Sequence, residues 1–179
     1  TARWPYTVHR MQNNQSQAVV LMGVAGSGKT AVGVQVAQKL GWLFLDADDF
    51  HPPANIEKMK HGIPLNDEDR APWLRRLHDE LQQQIDNGRS VILACSALKE
   101  SYRKVLSDET IPPKFVYLDV DPETIQSRLQ HRTHFFPKEL MDSQFAALEK
   151  PKNAIIVDAR KSLAEVVNQV IQALGVSPH

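Results

Sequence analysis

The residues best suited to chemistry lie in one glycine-rich segment, Gly23-Val24-Ala25-Gly26-Ser27-Gly28-Lys29-Thr30. It matches the pattern G-x-x-x-x-G-K-[ST], in which backbone N–H groups of a loop and of the following helix N-terminus bind phosphate oxygens. The pattern predicts that Lys29 reaches the β- and γ-phosphates of a nucleotide and that the Thr30 hydroxyl ligates Mg²⁺. A glycine-rich turn without function is the alternative, but the segment stands between a strand-like and a helix-like stretch, as the pattern requires.

Acidic residues follow the second strand-like run, at Asp46, Asp48 and Asp49, with His51 shortly after them. Ligands of open parallel sheets bind beyond the carboxyl ends of the strands, so we expect these acids at the same edge as the glycine-rich loop. One carboxylate there could hold the hydration shell of Mg²⁺ while another accepts a proton from an attacking hydroxyl. Alternation along an extended chain places Asp46 and Asp48 on one side and Asp49 on the other. A solvated loop that caps a helix is the simpler alternative.

Polar and cationic side chains also follow the third strand-like run, where Ser96, Lys99, Tyr102 and Arg103 stand close together. Lys99 and Arg103 are four residues apart, which predicts a shared helix face suited to an anionic ligand. An ordinary solvated basic face is the alternative. Cys95, just before this group, is expected to be a buried apolar residue and not a nucleophile.

Three further arginines are candidates for anion binding. Arg70 precedes a helical pattern, where it could equally be a surface charge and Asp69 merely a helix cap. Arg128 and Arg132 are four residues apart and could stabilise the charge that develops on a transferred phosphoryl group, or they could be exposed surface charges. His134 follows them, but two histidines at 131 and 134 without a third nearby ligand do not indicate zinc.

The elements that must position these residues alternate between strands and helices. Five short apolar runs predict strands buried on both faces: Ala18–Met22, Trp42–Leu45, Ser90–Cys95, Phe115–Val120 and Ala154–Val157. Caps and apolar spacing predict helices between them, as at Asp121-Pro122-Glu123 and in the capping box Ser162-Leu163-Ala164-Glu165. The repeated strand–helix–strand order predicts one α/β domain with a parallel sheet and helices on both faces.

Composition narrows the class of protein further. The 179 residues include 21 Lys and Arg against 21 Asp and Glu, so the chain lacks the basic excess of proteins that wrap nucleic acid or coat anionic membranes. Its one cysteine excludes an intramolecular disulfide framework and favours a reducing, cytoplasmic location. No apolar run approaches the roughly 20 residues of a membrane helix. Residues 1–17 are predicted to be a disordered arm or an appended segment, and residues 18–179 a single domain.

Several further blocks of sequence carry a family resemblance. They are Asp48-Asp49-Phe50-His51-Pro52, Asn55-Ile56-Glu57-Lys58-Met59, Asp67-Glu68-Asp69-Arg70-Ala71-Pro72-Trp73-Leu74, Cys95-Ser96-Ala97-Leu98-Lys99, Tyr102-Arg103, His134-Phe135-Phe136 and Ser143-Gln144-Phe145. In this order, and together with the glycine-rich loop, they resemble the bacterial-type gluconate kinases over about residues 18–174. The loop alone is shared by very many nucleotide-binding proteins, whereas the first four of these blocks, in this order, are specific to this family.

The resemblance implies a three-layer P-loop kinase fold similar to that of nucleoside monophosphate and shikimate kinases. That fold has a central five-stranded parallel sheet, helices on both faces and a small lid, here at about residues 128–140, and the family often forms homodimers. The implied reaction uses ATP and Mg²⁺ to phosphorylate the 6-hydroxyl of D-gluconate, giving 6-phospho-D-gluconate and ADP. The alternatives are a kinase of another small hydroxylated acceptor such as shikimate, or a non-catalytic nucleotide-binding module.

The resemblance also assigns roles to residues. Lys29, Asp48 and Arg128 are expected to be catalytic, with Thr30 and Asp46 at the metal. The nucleotide is expected to contact Gly23, Val24, Ala25, Gly26, Ser27, Gly28, Lys29, Thr30, Arg128 and Arg132. The sugar acid is expected to contact Asp48, His51, Arg70, Ser96, Lys99, Tyr102, Arg103 and His134. Family members usually read Asp-Gly-Asp where this chain has Asp46-Ala47-Asp48, which is compatible if Ala47 avoids positive φ.

Overall fold

Five parallel strands form the central sheet of the computed structural model, which describes residues 15–107, 112–130 and 138–178. The strands are Ala18–Met22 (β1), Leu43–Asp46 (β2), Val91–Ala94 (β3), Lys114–Asp119 (β4) and Ile155–Asp158 (β5). Their order in the sheet is β2-β3-β1-β4-β5, and every neighbouring pair is parallel. The predicted five-stranded parallel sheet is therefore confirmed, and each strand end lies within one residue of its predicted position.

The helices of the described residues connect the strands and cover both faces of the sheet. They are Lys29–Leu40 (α1), Pro53–Lys60 (α2), Asp67–Asp86 (α3), Glu100–Leu106 (α4), Pro122–Gln130 (α5), Lys138–Ala147 (α6) and Leu163–Leu174 (α7). Helices α1 and α7 pack on one face of the sheet, and α3 and α4 pack on the other. None of these helices is long and apolar enough to cross a lipid bilayer.

Strand β1 shows how the sequence builds the two faces. Val19 and Leu21 belong to the core under α1 and α7, while Val20 and Met22 belong to the core under α3 and α4. Because successive side chains of a strand point to opposite faces, a strand between two helical layers must be apolar at every position. The prediction of full burial holds for β1, for β3 and for the centre of β4, but it is wrong for β2 and β5, which are partly exposed because they form the sheet edges.

Helix α3 begins earlier than its leucine periodicity alone indicates. The Asn66 side chain accepts a hydrogen bond from the Asp69 backbone N–H (2.8 Å), and the Asp69 carboxylate accepts one from the Asn66 N–H (3.0 Å). This reciprocal capping box satisfies two backbone donors that a helix start leaves without partners. The alternative that Asp69 caps a helix is confirmed.

The folded domain includes Gln17, one residue before its predicted boundary. The Gln17 backbone N–H donates to Ser90 Oγ (2.9 Å), and its carbonyl accepts from the Val91 N–H (2.9 Å). The Lys114 ammonium also donates to the Gln17 side chain (3.2 Å). Gln17 therefore extends the pairing of β1 and β3, while residues 1–14 of the predicted arm lie outside the described residues.

Gly33 on α1 lies against Phe44 on β2 without room for a side chain. A Cβ there would lie 2.6 Å from Phe44 Cε2 and 3.3 Å from Leu21 Cδ1. We expect Gly33→Ala to lower the free energy of unfolding by about 1–2 kcal/mol, because overpacking outweighs the gain in helix propensity. Denaturant titration measures this change. In a Phe44→Leu background the same substitution should be neutral or stabilising, and an equal loss in both backgrounds would contradict the steric explanation.

Candidate active site

The glycine-rich loop joins β1 to α1 at the carboxyl edge of the sheet. Gly23 and Gly28 adopt φ values of +155° and +99°, which L side chains rarely adopt. A Cβ at Gly23 would also lie 2.8 Å from Ser27 Oγ and 3.1 Å from the Leu118 carbonyl oxygen. The loop leads directly into the N-terminus of α1 at Lys29, where backbone N–H groups and the helix dipole favour an anion. We call residues 23–30 the phosphate loop.

Lys29 folds back over the phosphate loop. Its ammonium donates hydrogen bonds to the carbonyl oxygens of Gly23 (3.0 Å) and Val24 (3.1 Å). Burial lowers the pKa of Lys29, and the nearby carboxylates of Asp48 and Asp46 act in the opposite direction. A bound polyphosphate would add negative charge and so favour the charged amine.

Thr30 and Asp46 form a pair of hard oxygen donors at the start of α1 and the end of β2. Thr30 Oγ1 donates to Asp46 Oδ2 over 3.4 Å, and both groups are accessible to solvent. A hydroxyl and a carboxylate suit Mg²⁺, which usually keeps several waters and takes few protein ligands. The described residues contain no group of three or more His, Cys, Asp or Glu that could hold a metal by themselves. The pair therefore fits a magnesium ion that is shared with phosphate groups.

Asp48 lies in a 3₁₀ turn, Ala47–Phe50, and not in extended chain. The predicted alternation of Asp46 and Asp48 against Asp49 is therefore wrong, because Asp46 Oδ1 accepts the Asp48 backbone N–H (3.0 Å) and starts the turn. Ala47 is buried and has no positive φ, so alanine is compatible with this turn. Partial desolvation, and then the nearby Asp46 carboxylate, raise the pKa of Asp48, although its side chain is 86% exposed. A raised pKa suits a group that accepts a proton.

His51 lies beside this turn and is only 7% exposed. Its ring stacks on Trp73 with a centroid separation of 4.3 Å and an angle of 13° between the planes. The Trp73 indole N–H donates to the Ala47 carbonyl oxygen (2.7 Å), which ties α3 to the turn that carries Asp48. His51 Nε2 lies 4.0 Å from Asp48 Oδ1. The structure therefore brings together two of the predicted substrate-binding residues.

A second cluster joins Arg70, Lys99 and Tyr102 around the carboxylate of Asp67. The Tyr102 hydroxyl donates to Asp67 Oδ1 (2.6 Å) and accepts from Arg70 Nη1 (3.3 Å). Lys99 Nζ and Arg70 Nη1 lie 3.6 and 3.8 Å from the same carboxylate oxygen. The Tyr102 hydrogen bond, with the two cations, lowers the pKa of Asp67. The cluster is thus a carboxylate-binding arrangement of two cations and a phenol, and Asp67 is a member that sequence reasoning missed.

Arg103 does not share a face with Lys99 as predicted. Lys99 is the residue before α4, and its ammonium lies toward Asp67, whereas the Arg103 guanidinium is buried. Arg103 donates to the carbonyl oxygens of Ala97 (2.8 Å) and Glu149 (2.9 Å) and to the Glu100 carboxylate (3.1 Å). These partners lie within the protein, so in this structure Arg103 acts as an internal anchor.

The turn that Arg103 anchors carries Ser96, a predicted substrate residue. The Ser96 carbonyl accepts the Gly23 N–H (3.3 Å), which ties the turn to the phosphate loop. Ala97 has φ +44°, and among the described residues it is the one non-glycine residue with positive φ. Such strain persists only where surrounding contacts enforce it, as the Arg103 hydrogen bond does here. Burial raises the pKa of Cys95, just before this turn, to about 12, in agreement with a thiol that is not a nucleophile.

Arg128 lies at the same edge of the sheet. Its guanidinium donates to the carbonyl oxygens of Ala159 and Lys161, in the segment after β5. Ile125, one turn earlier on α5, is the side chain that a Cβ at Gly26 would meet at 3.0 Å, so α5 packs beside the phosphate loop. The predicted site residues Arg132 and His134, with most of the predicted lid, lie outside the described residues.

Gln144 on α6 is a further contact that sequence reasoning missed. Its side-chain oxygen accepts the Ala25 backbone N–H over 2.6 Å, across 119 positions of sequence. This hydrogen bond connects the phosphate loop at Ala25 to α6, the helix that follows residues 131–137. The family resemblance includes the block Ser143-Gln144-Phe145. The residue types of this block do not indicate which part of the chain it contacts.

Comparisons with known proteins extend these observations. The family model described as Shikimate kinase matches residues 25–175. A probable gluconokinase from Rattus norvegicus is 44% identical over 178 residues, which cover 87% of this chain and 96% of the relative. A gluconokinase from Gluconobacter oxydans is 49% identical over 134 residues, covering 74% of this chain and 75% of the relative. The crystal structure of a gluconokinase from Sinorhizobium meliloti 1021 superposes with a TM-score of 0.80 at 39% identity, covering 90% of this chain and 93% of the other.

These likenesses span nearly the whole described domain and not only the phosphate loop. The similarity in sequence and the similarity in architecture each extend over most of the chain. The three-layer P-loop kinase fold and the family resemblance read from the sequence are both confirmed. This chain belongs to the gluconokinase family of P-loop kinases.

Proposed function

We propose that this chain is a gluconate kinase that transfers the γ-phosphoryl group of ATP to the 6-hydroxyl of D-gluconate, giving 6-phospho-D-gluconate and ADP. The observation that carries the proposal is the cluster of Arg70, Lys99 and Tyr102, which already holds one carboxylate at 2.6–3.8 Å. Cations with hydroxyl donors bind carboxylates strongly, so this cluster suits the carboxylate of a sugar acid. Lys99 and Tyr102 follow β3, and Arg70 lies in the first turn of α3. The carboxyl end of β3 is at the same sheet edge as the phosphate loop.

The chemical step needs few covalent contributions from the protein. The oxygen of the 6-hydroxyl bonds to the γ-phosphorus, the bond from phosphorus to the leaving oxygen of ADP breaks, and the hydroxyl proton passes to Asp48. Lys29 and the phosphate loop bind the phosphates, and Arg128 with Arg132 balances the charge of the transferred group. Thr30 and Asp46 would hold Mg²⁺, which when bound neutralises phosphate charge.

A coupled assay of ADP formation with a panel of acceptors tests this proposal. The panel contains D-gluconate, shikimate and nucleoside monophosphates, each with ATP and Mg²⁺. We expect equal amounts of ADP and 6-phospho-D-gluconate, and no comparable rate with the other acceptors. Turnover of another acceptor without turnover of gluconate would refute the substrate assignment. Nucleotide binding by calorimetry without any phosphorylated product would instead indicate a non-catalytic module.

We also propose that the enzyme uses Mg²⁺, forms a homodimer and works in the cytoplasm. The oxygen pair of Thr30 and Asp46 supports the first statement, and the family resemblance supports the second. The single buried thiol, Cys95, and the balanced charge support the third. Light scattering after gel filtration measures the mass of the particle, and a monomer at micromolar concentration would contradict the dimer.

A further inference from the structure

We propose that Asn55 is a positioning residue that holds His51 as a neutral imidazole with its proton on Nε2, directed toward Asp48 and the reacting hydroxyl. The inference rests on the proposed function for the identity of that hydroxyl, but not for the state of the ring. Asn55 lies on α2 and is 2% exposed, while His51 is the residue that ends the turn carrying Asp48.

The orientation of the Asn55 amide follows from its second partner. Its side-chain nitrogen lies 2.9 Å from the carbonyl oxygen of Asp69, which can only accept a hydrogen bond. The nitrogen, and not the oxygen, of the amide must therefore point there. The same nitrogen lies 3.2 Å from His51 Nδ1 and has a second hydrogen to donate. His51 Nδ1 must accept that hydrogen and cannot carry a proton of its own.

The state of the other ring nitrogen follows directly. A neutral imidazole carries one proton, so an accepting Nδ1 requires the proton on Nε2. Burial lowers the pKa of His51, which keeps the ring neutral near neutral pH despite the opposite effect of Asp48. Stacking on Trp73 fixes the plane of the ring, but it would tolerate a flip by 180°. The Asn55 hydrogen bond selects one of the two flipped orientations and places Nε2 4.0 Å from Asp48 Oδ1.

This arrangement divides the work between the two side chains. Because Nε2 already carries a proton, His51 cannot accept the proton of the substrate hydroxyl. It can donate a hydrogen bond to the Asp48 carboxylate or to the oxygen of the acceptor. Asp48 is then the proton acceptor of the pair, and Asn55 determines this division without contact to substrate.

Nitrogen-15 NMR of the histidine rings tests the state of His51 without any substrate. The His51 signals are assigned as those lost in His51→Asn. We expect wild-type His51 to show a protonated Nε2 and an unprotonated Nδ1 at neutral pH. A protonated Nδ1 would overturn the proposal, whatever the enzyme phosphorylates. A correct ring state in a protein without gluconate kinase activity would overturn the proposed function alone.

Asn55→Leu, compared with Lys58→Met, tests the positioning role. Leucine is nearly isosteric but donates no hydrogen bond, so we expect a mixed ring state and a loss of about tenfold in kcat/KM for gluconate. The KM for ATP should not change. Lys58 is also on α2 and also binds Asp69, with its ammonium 2.8 Å from the carboxylate, but it does not contact His51. Lys58→Met should lower the melting temperature while leaving the ring state and kcat/KM unchanged. Equal kinetic losses in both variants, or an unchanged ring state in Asn55→Leu, would contradict the proposal.

Discussion

Replacing Lys29 with methionine is expected to lower kcat for gluconate phosphorylation by about 10²–10³-fold, the usual effect of removing one well-placed hydrogen-bond donor to a developing anion. The methionine side chain fills a space similar to that of lysine, but it offers no positive charge to the β- and γ-phosphates. The folded protein should lose little stability, because burial of the Lys29 ammonium is itself unfavourable and opposes its two hydrogen bonds to loop carbonyls. Steady-state kinetics and the melting temperature measure the two effects separately.

Lys39→Met is the matched control for this experiment. Lys39 lies in the last turn of the same helix, α1, and is exposed, so it carries the same substitution far from the phosphate loop. We expect kcat within about twofold of wild type, because Lys39 lies far from the phosphate loop. The stability should also change little, since surface substitutions usually alter it by no more than about 0.5 kcal/mol. If Lys29→Met kept wild-type turnover, or lost activity only by unfolding, the assignment of Lys29 to the phosphates would be wrong.

Asp48→Asn should lower kcat by about 10²–10⁴-fold, the usual contribution of a general base. The amide keeps the size of the carboxylate but cannot accept a proton, so the transfer of the hydroxyl proton loses its acceptor. Binding of ATP should change little, because Asp48 lies in the turn after β2 and the loop that holds the phosphates is a separate segment. Rapid-quench measurement of a single turnover isolates the chemical step from product release.

Asp49→Asn provides the control for charge. Asp49 is the next residue of the same 3₁₀ turn and is exposed, so its replacement removes the same formal charge at almost the same place. We expect Asp49→Asn to retain most of the wild-type kcat. Full turnover in Asp48→Asn would require another proton acceptor, and equal losses in both variants would indicate a general effect of negative charge.

Arg103 illustrates where sequence reasoning reached its limit. The residue type and the spacing from Lys99 predicted a shared anion-binding face, but they could not reveal which partners the side chain would find. The structure shows it buried, with hydrogen bonds to the carbonyl oxygens of Ala97 and Glu149. Those carbonyl groups come close only because the chain before α4 and the chain after α6 meet at this point of the fold. Spacing along one helix contains no information about such a meeting.

The acids after β2 show a similar limit at shorter range. Their residue type made Asp46 and Asp48 candidates for metal binding and proton transfer. Their position after a strand predicted that they lie at the carboxyl edge of the sheet. The 3₁₀ turn that orients them was missed, because it depends on a hydrogen bond from the Asp48 N–H to Asp46. The Trp73 indole then fixes the turn from a helix 26 residues away. After β2 the chain could form either this 3₁₀ turn or an extended segment, and the contact from Trp73 favours the turn.

The sequence by itself determined the features that depend on local patterns: the phosphate loop, the alternation of strands and helices, the caps of α5 and α7, and the residue blocks that define the family. Each of these depends on backbone geometry or apolar spacing within one segment. Only the tertiary structure decided the contacts between segments. These are the hydrogen bonds between Asn55 and His51 and between Gln144 and Ala25, and the contacts of Asp67 with Arg70, Lys99 and Tyr102. The reason is physical, because a polar side chain has many possible partners in sequence and only the packing of the core decides which of them come within hydrogen-bond distance.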